Sequence, residues 1–148
     1  MWVSTKAQYG MRALVEIAVG GDRPTSLKQV ADRQGLSQQY LEQIFAVLRR
    51  GGVVVSVRGA HGGYRVARPY DQVRALDVIE LLEGSVAPVA CIDEPEGCER
   101  TGNCSTEGLW RDVDAAVRQV LSKTTLADLV VQRELLQIEP LPATFAAG

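Results

Sequence analysis

A chain of 148 residues with 46% hydrophobic side chains can bury the core of one compact domain, or of a small domain with an extension, which argues against wholesale disorder. No run approaches the roughly 18 apolar residues of a membrane span, and we find no secretory signal, so we expect a cytoplasmic protein without a membrane partner. Residues 1–70 hold ten Lys and Arg against four Asp and Glu, whereas residues 71–148 hold six against fourteen. This asymmetry favours a polyanionic partner for the first half, although chance clustering on a solvated surface would give the same counts.

The first half of the chain has the hydrophobic periods of three helices and a hairpin. Apolar side chains recur at helical spacing over residues 6–19, 26–34 and 38–50, and a glycine follows each segment. The β-branched run over 53–57, a Gly-rich turn and the return run over 64–67 predict a β-hairpin. Two helices joined by a short turn and followed by such a hairpin are typical of a winged helix-turn-helix domain.

The second half predicts a further helix over 75–83, an irregular loop over 85–108, a long helix over 109–123 and a last helix over 126–136. The long helix has a broad apolar stripe, made of Leu109, Val113, Ala116, Val117, Val120 and Leu121. A loop of this length without regular structure usually serves a function or holds a bound group. The predicted fold is therefore mainly α, with a winged-helix domain, a cysteine loop and a long helix after it.

The third helix presents polar side chains at the end that would enter a DNA groove. Its apolar stripe leaves a polar set exposed there: Gln38, Gln39, Glu42 and Gln43. Glutamine can pair with two atoms of adenine, and glutamate can accept from cytosine, so this set can read base edges. Ser37 at the helix start and Arg49 near its end suit phosphates. A merely solvated helix face would show the same residues, and the adjoining hairpin weighs against that interpretation.

The turn of the hairpin combines glycines with positive charge. Three glycines in the turn over 58–63 let the backbone approach DNA closely. Arg58 and Arg65 are predicted to contact phosphates or the minor groove. His61 is the only histidine of the chain. In a Gly-rich turn it is expected to be a surface or phosphate-contacting residue rather than a metal ligand.

All three cysteines of the chain lie in the irregular loop, as Cys91-x6-Cys98-x5-Cys104. Three thiolates on one loop can converge on a single centre. Their spacings differ from the CxxC knuckles of structural zinc sites, whereas iron–sulfur clusters tolerate varied loops. The acidic neighbours disfavour thiolates unless a bound cation compensates. An iron–sulfur cluster, a zinc ion, and three inert or regulatory thiols all stay open as interpretations.

Several motifs of the chain resemble the Rrf-two family of winged-helix transcription regulators. These motifs are STKAQYGMRALVEIA, YLEQIF, RGAHGGY and LLEG, followed by the three cysteines and LW, and the resemblance spans about residues 1–130. It implies a homodimer, formed through the long C-terminal helix, that binds a double-stranded DNA operator. For the IscR-like members of the family it implies one iron–sulfur cluster per subunit, of the 2Fe-2S or 4Fe-4S type.

Carried over residue by residue, the resemblance implies three cluster ligands: Cys91, Cys98 and Cys104. The family's ligating histidine, three residues after the last cysteine, is matched by Glu107, which we expect to be the fourth ligand. Gln8 matches an acidic ligand that the partner subunit supplies in some members, and an amide is the poorer donor. Glu42 matches a residue that tunes promoter choice in the IscR-like members.

We therefore predict a winged helix-turn-helix domain over 1–70, a connecting helix and cluster-binding loop over 71–108, a dimerisation helix and C-terminal helix over 109–140, and a flexible tail over 141–148. The predicted function is that of a homodimeric, sequence-specific repressor whose DNA binding depends on an iron–sulfur cluster sensing iron, redox state or nitric oxide. A thiol-switch or metabolite-responsive regulator is the alternative. An electron carrier would need four strong ligands, and an enzyme would need a nucleophile–base pair, which we do not find.

Overall fold

The computed structural model describes residues 3–138, and the side chains of residues 3–136. Its regular elements follow in this order: α1 (Thr5–Val19), α2 (Leu27–Gln34), α3 (Gln38–Arg50), β1 (Val54–Val57), β2 (Gly63–Val66), α4 (Ala75–Glu83), α5 (Ala90–Asp93), α6 (Glu107–Lys123) and α7 (Leu126–Ile138). Single 3₁₀ turns lie at Tyr70–Gln72 and Pro95–Gly97. This mainly helical fold with a two-stranded hairpin confirms the predicted fold class, and the predicted tail over 141–148 lies outside the described residues. Within the described part of the chain, no helix has the length and hydrophobicity of a membrane span.

Serine caps set the starts of the three helices of the winged-helix domain. Ser4 accepts a hydrogen bond from a backbone N–H in the first turn of α1 at 3.3 Å, and Ser37 does the same for α3 at 3.2 Å. Ser26 forms a capping box with Gln29, in which each side chain binds the other residue's N–H at 3.2 Å. Such caps satisfy N–H groups that a helix start leaves unpaired. The predicted boundaries of these three helices are confirmed to within one residue.

The wing is fastened to the start of the helix-turn-helix. Its strands pair antiparallel, with Val54 opposite Val66. The N–H of Thr25 donates to the carbonyl oxygen of Tyr64, and the N–H of Tyr64 donates to that of Thr25, both at 2.9 Å. Residue 63 must be glycine for this approach, since a Cβ on Gly63 would lie 2.3 Å from the Thr25 oxygen. The wing therefore has a fixed place beside α2.

One hydrophobic core runs through both halves of the described chain. Its largest fully buried side chains come from α1, α3 and α7, and include Leu14, Ile17, Leu41, Ile44, Phe45, Leu48 and Leu126. Three leucine and isoleucine side chains of α4 are buried as well: Leu76, Ile79 and Leu82. Because Leu126 belongs to this core, the C-terminal helices pack on the winged-helix half of the same chain.

Backbone bonds and a buried ion pair attach α6 and α7 to the rest of the chain. The turn between the two helices makes two backbone hydrogen bonds of 2.8 Å, with Val73 and with Ala75 at the start of α4. Glu16 on α1 is only 3% exposed, and its carboxylate accepts from Arg133 of α7 at 2.6 Å. A carboxylate buried to this degree needs a cationic partner. This ion pair therefore holds α7 against α1.

The second half differs from the prediction at two helix ends and inside the loop. α6 begins at Glu107, two residues before the predicted start, because the Glu107 carboxylate suits the positive end of the helix dipole. α7 continues to Ile138, beyond the predicted 136. The loop predicted to be irregular over 85–108 contains α5 and the 3₁₀ turn. The prediction of an irregular loop was therefore wrong at these two elements. Elements of three or four residues hold too few apolar positions to show a period in the sequence.

Replacing Leu126 by Ala tests the shared core. Leu126 is 1% exposed, so truncation removes buried methyl groups and leaves a cavity. We expect the free energy of unfolding to fall by about 2–5 kcal/mol, measured by urea unfolding. The control is Glu134→Ala, at an exposed position of the same helix. This substitution should change the free energy of unfolding by less than about 0.5 kcal/mol. An unfolding midpoint unchanged by Leu126→Ala would contradict a core common to both halves.

Candidate nucleic-acid interface and cysteine loop

α3 buries one side completely and exposes the predicted reading residues on the other. Its inward side chains are fully buried: Leu41, Ile44, Phe45 and Leu48. This anchoring fixes the position and the rotation of the helix. The exposed residues at its N-terminal end are the predicted ones: Gln38, Gln39, Glu42 and Gln43. A long hydrogen bond of 3.5 Å joins the Gln38 amide to the Glu42 carboxylate one turn later.

Ser37 and Arg49 lie at the two ends of α3 and are exposed. The Ser37 oxygen caps the helix, and its hydrogen can still be donated to a phosphate. Arg68 closes the other end, because its guanidinium donates to the carbonyl oxygens of Gly52 and Gly51 at 3.1 and 2.9 Å. No sequence pattern indicates the Arg68 bonds, since they join the residue after the wing to the end of α3.

The wing presents its predicted charged residues to solvent: Arg58, His61 and Arg65 are all exposed. Strand alternation explains why Arg65 is exposed, because neighbouring side chains of a strand point to opposite faces. Tyr64 points to the core and packs against Phe45 of α3, with ring centroids 5.2 Å apart. The Phe45–Tyr64 contact joins the wing to α3, so the two elements predicted to touch DNA keep a constant relative position.

The three cysteines are free, half-buried thiols at separate points of the loop. Cys91 lies in α5, Cys98 follows the 3₁₀ turn, and Cys104 precedes α6. Cys91 and Cys98 line one open cavity of about 470 Å³, whose wall also includes Glu94 and Glu99. Cys104 lies outside this lining. The cavity therefore brings two of the three predicted ligands together.

Hydrogen bonds at the start of α6 engage Cys104 and Glu107. The Cys104 sulfur lies 3.4 Å from the Thr106 hydroxyl, and hydrogen bonds from the Thr106 side chain and backbone lower the pKa of the thiol. The Glu107 carboxylate accepts from Nε of Arg111 at 3.0 Å and from the N–H of Gly102 at 2.8 Å. These bonds, that from Arg111 above all, lower the pKa of Glu107. Glu107 is thus an ionised carboxylate with two partners already.

The predicted cluster ligands are not gathered at one point. Among the side chains of residues 3–136, no three from His, Cys, Asp or Glu lie close enough to share a metal ion. Gln8, the competing ligand, donates from its side chain to the carbonyl oxygen of Val3 at 3.2 Å. Thiols suit an iron–sulfur cluster chemically.

A reading helix anchored on one side, with a basic wing held beside it, defines a winged-helix DNA-binding regulator of transcription. The chain belongs to the Rrf2 family: the family model, described as an iron-dependent transcriptional regulator, matches residues 3–132. This is a family of regulators and not of enzymes, as the sequence motifs implied.

Similar proteins share both sequence and fold with most of this chain. The HTH-type transcriptional regulator CymR of Bacillus subtilis (strain 168) is 42% identical over 130 residues, 87% of this chain and 89% of that protein. The structure of CymR, the global cysteine regulator of B. subtilis, matches with a TM-score of 0.76 at 40% identity, covering 89% of this chain and 98% of that one. A structure of T. potens IscR gives a TM-score of 0.77 at 38% identity, covering 98% and 96%. These matches confirm the family and the fold that the motifs indicated.

Substitutions in α3 and in the wing should affect DNA binding in different ways. Arg58→Ala and Arg65→Ala each remove a phosphate or groove charge, so they should weaken binding to all duplexes and flatten its salt dependence. Gln39→Ala and Glu42→Ala should instead alter preference at one base pair, by roughly 1–3 kcal/mol. Fluorescence anisotropy on duplexes selected from a random library, and on their single-base variants, measures both effects. Equal behaviour of the two pairs across that panel would show the assignment to be wrong.

Proposed function

We propose that the protein is a homodimeric, sequence-specific regulator of the cytoplasm that represses transcription by occupying an operator. The observation that carries this proposal is the exposed polar end of α3 beside a basic wing, in one packed unit. Ten Lys and Arg against four Asp and Glu in residues 1–70 support binding to a polyanion. In this arrangement α3 supplies base contacts, while the wing and the helix ends supply phosphate contacts.

The dimer interface is assigned to α6, which has two apolar sides. Val117 and Leu121 pack against the core of the same chain. A second stripe, at the heptad spacing of a coiled-coil seam, is exposed or half-buried: Leu109, Val113, Ala116 and Val120. Leu109 and Val120 at its ends are 55% and 63% exposed. An apolar seam of this kind is suited to pairing with the same helix of a second copy.

A two-fold dimer presents two copies of α3 to the duplex. The operator is then near-palindromic, and its half-sites lie about one helical turn apart, roughly 34–36 Å. Because α6 and α7 are bonded to α1 and α4 of their own chain, the geometry of the dimer seam sets the distance between the two reading helices.

Control of DNA binding is assigned to the cysteine loop. One iron–sulfur cluster per subunit would be held by three thiolates with Glu107 as fourth ligand: Cys91, Cys98 and Cys104. The description of the family as iron-dependent supports this assignment, as do three free thiols on one loop. When bound, such a cluster responds to iron supply, to oxidants or to nitric oxide through its charge or its integrity.

The loop is linked to the proposed dimer seam through Glu107. This residue joins Gly102 of the loop to Arg111 in the next turn of α6. A ligand bond to Glu107 would compete with these two hydrogen bonds and so act on the first turn of α6. Leu109 lies in the same turn and belongs to the seam. A rearrangement of the loop therefore reaches the surface that spaces the two reading helices.

A thiol switch is the second candidate, and the cavity between Cys91 and Cys98 favours it. These two thiols share a lining, while Cys104 lies outside it. Oxidation of the pair to a disulfide would pass two electrons and two protons to a peroxide, which is reduced to two molecules of water when the oxidant is hydrogen peroxide. The loop would then be closed by a covalent bond instead of a bound cluster.

Val120→Glu tests the dimer. The substitution places a charge in the exposed apolar seam, so we expect a monomer at micromolar concentration by light scattering, with weakened operator binding. Gln119→Glu is the matched control, because it adds the same charge at an exposed position beside the seam, and it should remain dimeric. If Val120→Glu were as dimeric as the unsubstituted protein, the interface would lie elsewhere.

Anaerobic preparation tests the cluster against the thiol switch. We expect a coloured protein that contains iron and sulfide and absorbs at roughly 400 nm, and Cys98→Ala should lose this absorption. Glu107→Ala should retain it but lose it faster to a chelator, because one oxygen ligand is replaced. Cys91→Ala and Cys104→Ala should lose the absorption in the same way as Cys98→Ala.

A colourless, iron-free protein whose operator binding still changes with peroxide would reject the cluster and leave the thiol switch. In that case Cys104→Ala should keep the response, since Cys91 and Cys98 form the pair. The three cysteine variants therefore separate the two candidates.

A further inference from the structure

A cleft of about 480 Å³ separates the turn before α2 from the tip of the wing. Arg23, Ser26 and Gln29 line one side, and His61 and Gly62 line the other. Two of these side chains can carry positive charge, and the lining within the described residues includes no acidic side chain. A cleft of this composition favours an anion.

Backbone contacts between segments far apart in the sequence hold the cleft open. The paired hydrogen bonds between Thr25 and Tyr64 fix the turn before α2 against the wing. The wing tip folds back tightly, since a Cβ on Gly62 would lie 2.2 Å from the carbonyl oxygen of Val57. Together with the close approach at Gly63, this brings His61 opposite Arg23 without any flexible linker between them.

The groups on the cleft wall are available to a ligand. Arg23 and His61 are exposed, and neither takes part in an ion pair within the described part of the chain. The side-chain oxygen of Gln29 accepts from the N–H of Ser26 at 3.2 Å, which leaves the Gln29 amide NH₂ as a donor. Asp22, the nearest acid in sequence, is outside the lining and acts on Tyr70, whose pKa is raised by burial and then by this carboxylate.

We propose that this cleft binds one phosphate group of the DNA backbone, gripped by Arg23 and His61. The inference rests on the proposed function, and it adds a contact from outside the reading helix and the strands of the wing. A guanidinium offers a fork of donors that matches phosphate oxygens, and an imidazole N–H adds a donor from the opposite wall. The wing tip forms one wall, with Arg58 and Arg65 flanking it. A DNA strand that passes the wing therefore passes the mouth of the cleft.

The test is operator binding by Arg23→Ala, His61→Ala and the double variant, measured by anisotropy over a series of salt concentrations. Each single substitution should weaken binding by about 3- to 10-fold on every duplex of the panel, and Arg23→Ala, which removes a full positive charge, should also lower the salt slope by about one. The double variant should lose less than the product of the two single losses, because both residues act on one phosphate. Lys123→Ala, which removes one positive charge at the far end of α6, is the control and should bind as the unsubstituted protein does.

Failure of this inference is distinguishable from failure of the proposed function. If the unsubstituted protein binds no duplex, the proposed function is wrong and the cleft assignment falls with it. If that protein binds but the salt slope of Arg23→Ala is unchanged, only the cleft assignment is overturned. Calorimetry with inorganic phosphate tests whether the cleft binds a free anion instead of a DNA phosphate. Loss of phosphate binding in Arg23→Ala with unaltered DNA affinity would assign the cleft to a free anion and overturn the proposal.

Discussion

Burial of one side of α3 is the constraint on which the reading surface depends. Leu41, Ile44, Phe45 and Leu48 are withdrawn from water completely, and each such side chain contributes about 1.5–3 kcal/mol. Turning the helix by one residue, about 100°, would exchange several of these side chains for polar ones. Turned one way, the helix would bring Glu42 and Arg49 into the places of Leu41 and Leu48, where an apolar core surrounds them. The exposed set at the N-terminal end of α3 is therefore fixed by what the other side buries.

Two pairs of backbone hydrogen bonds connect the wing and the C-terminal helices to the elements around α3. Thr25 and Tyr64 join the wing to the turn before α2, and the α6–α7 turn joins the start of α4. Buried N–H and C=O groups must find partners, and here they find them across elements that are distant in sequence. The wing, the reading helix and the C-terminal helices consequently form one packed body. A change at the seam of α6 can reach α3 through these attachments and through α4, which packs against both helices.

Charge is distributed in two distinct ways. Exposed arginines cluster on the wing and at the end of α3, where they suit a polyanion. Buried charge is paired: Glu16 binds Arg133 of α7 and lies 3.9 Å from Arg33 at the end of α2. One carboxylate thus connects the C-terminal helix with the element that precedes the reading helix. The loop around the cysteines is acidic, whereas the residues of the proposed reading surface lie in the basic half, so the candidate control site and that surface differ in charge.

The sequence by itself determined the features that act over short distances. The starts of the first three helices, the wing, the exposed set on α3 and the family motifs follow from caps, periodicity and glycines, all of which operate within a few residues. It did not determine the separation of Cys104 from the Cys91–Cys98 cavity, or the bonds of Glu107 to Arg111 and Gly102. Short elements inside the loop have no readable period, and competing partners for one carboxylate can be ranked only when their distances are known. The Arg23–His61 cleft and the Glu16–Arg133 pair join residues far apart along the chain, so only the packed structure decided them, because the core and the backbone hydrogen bonds bring those residues together.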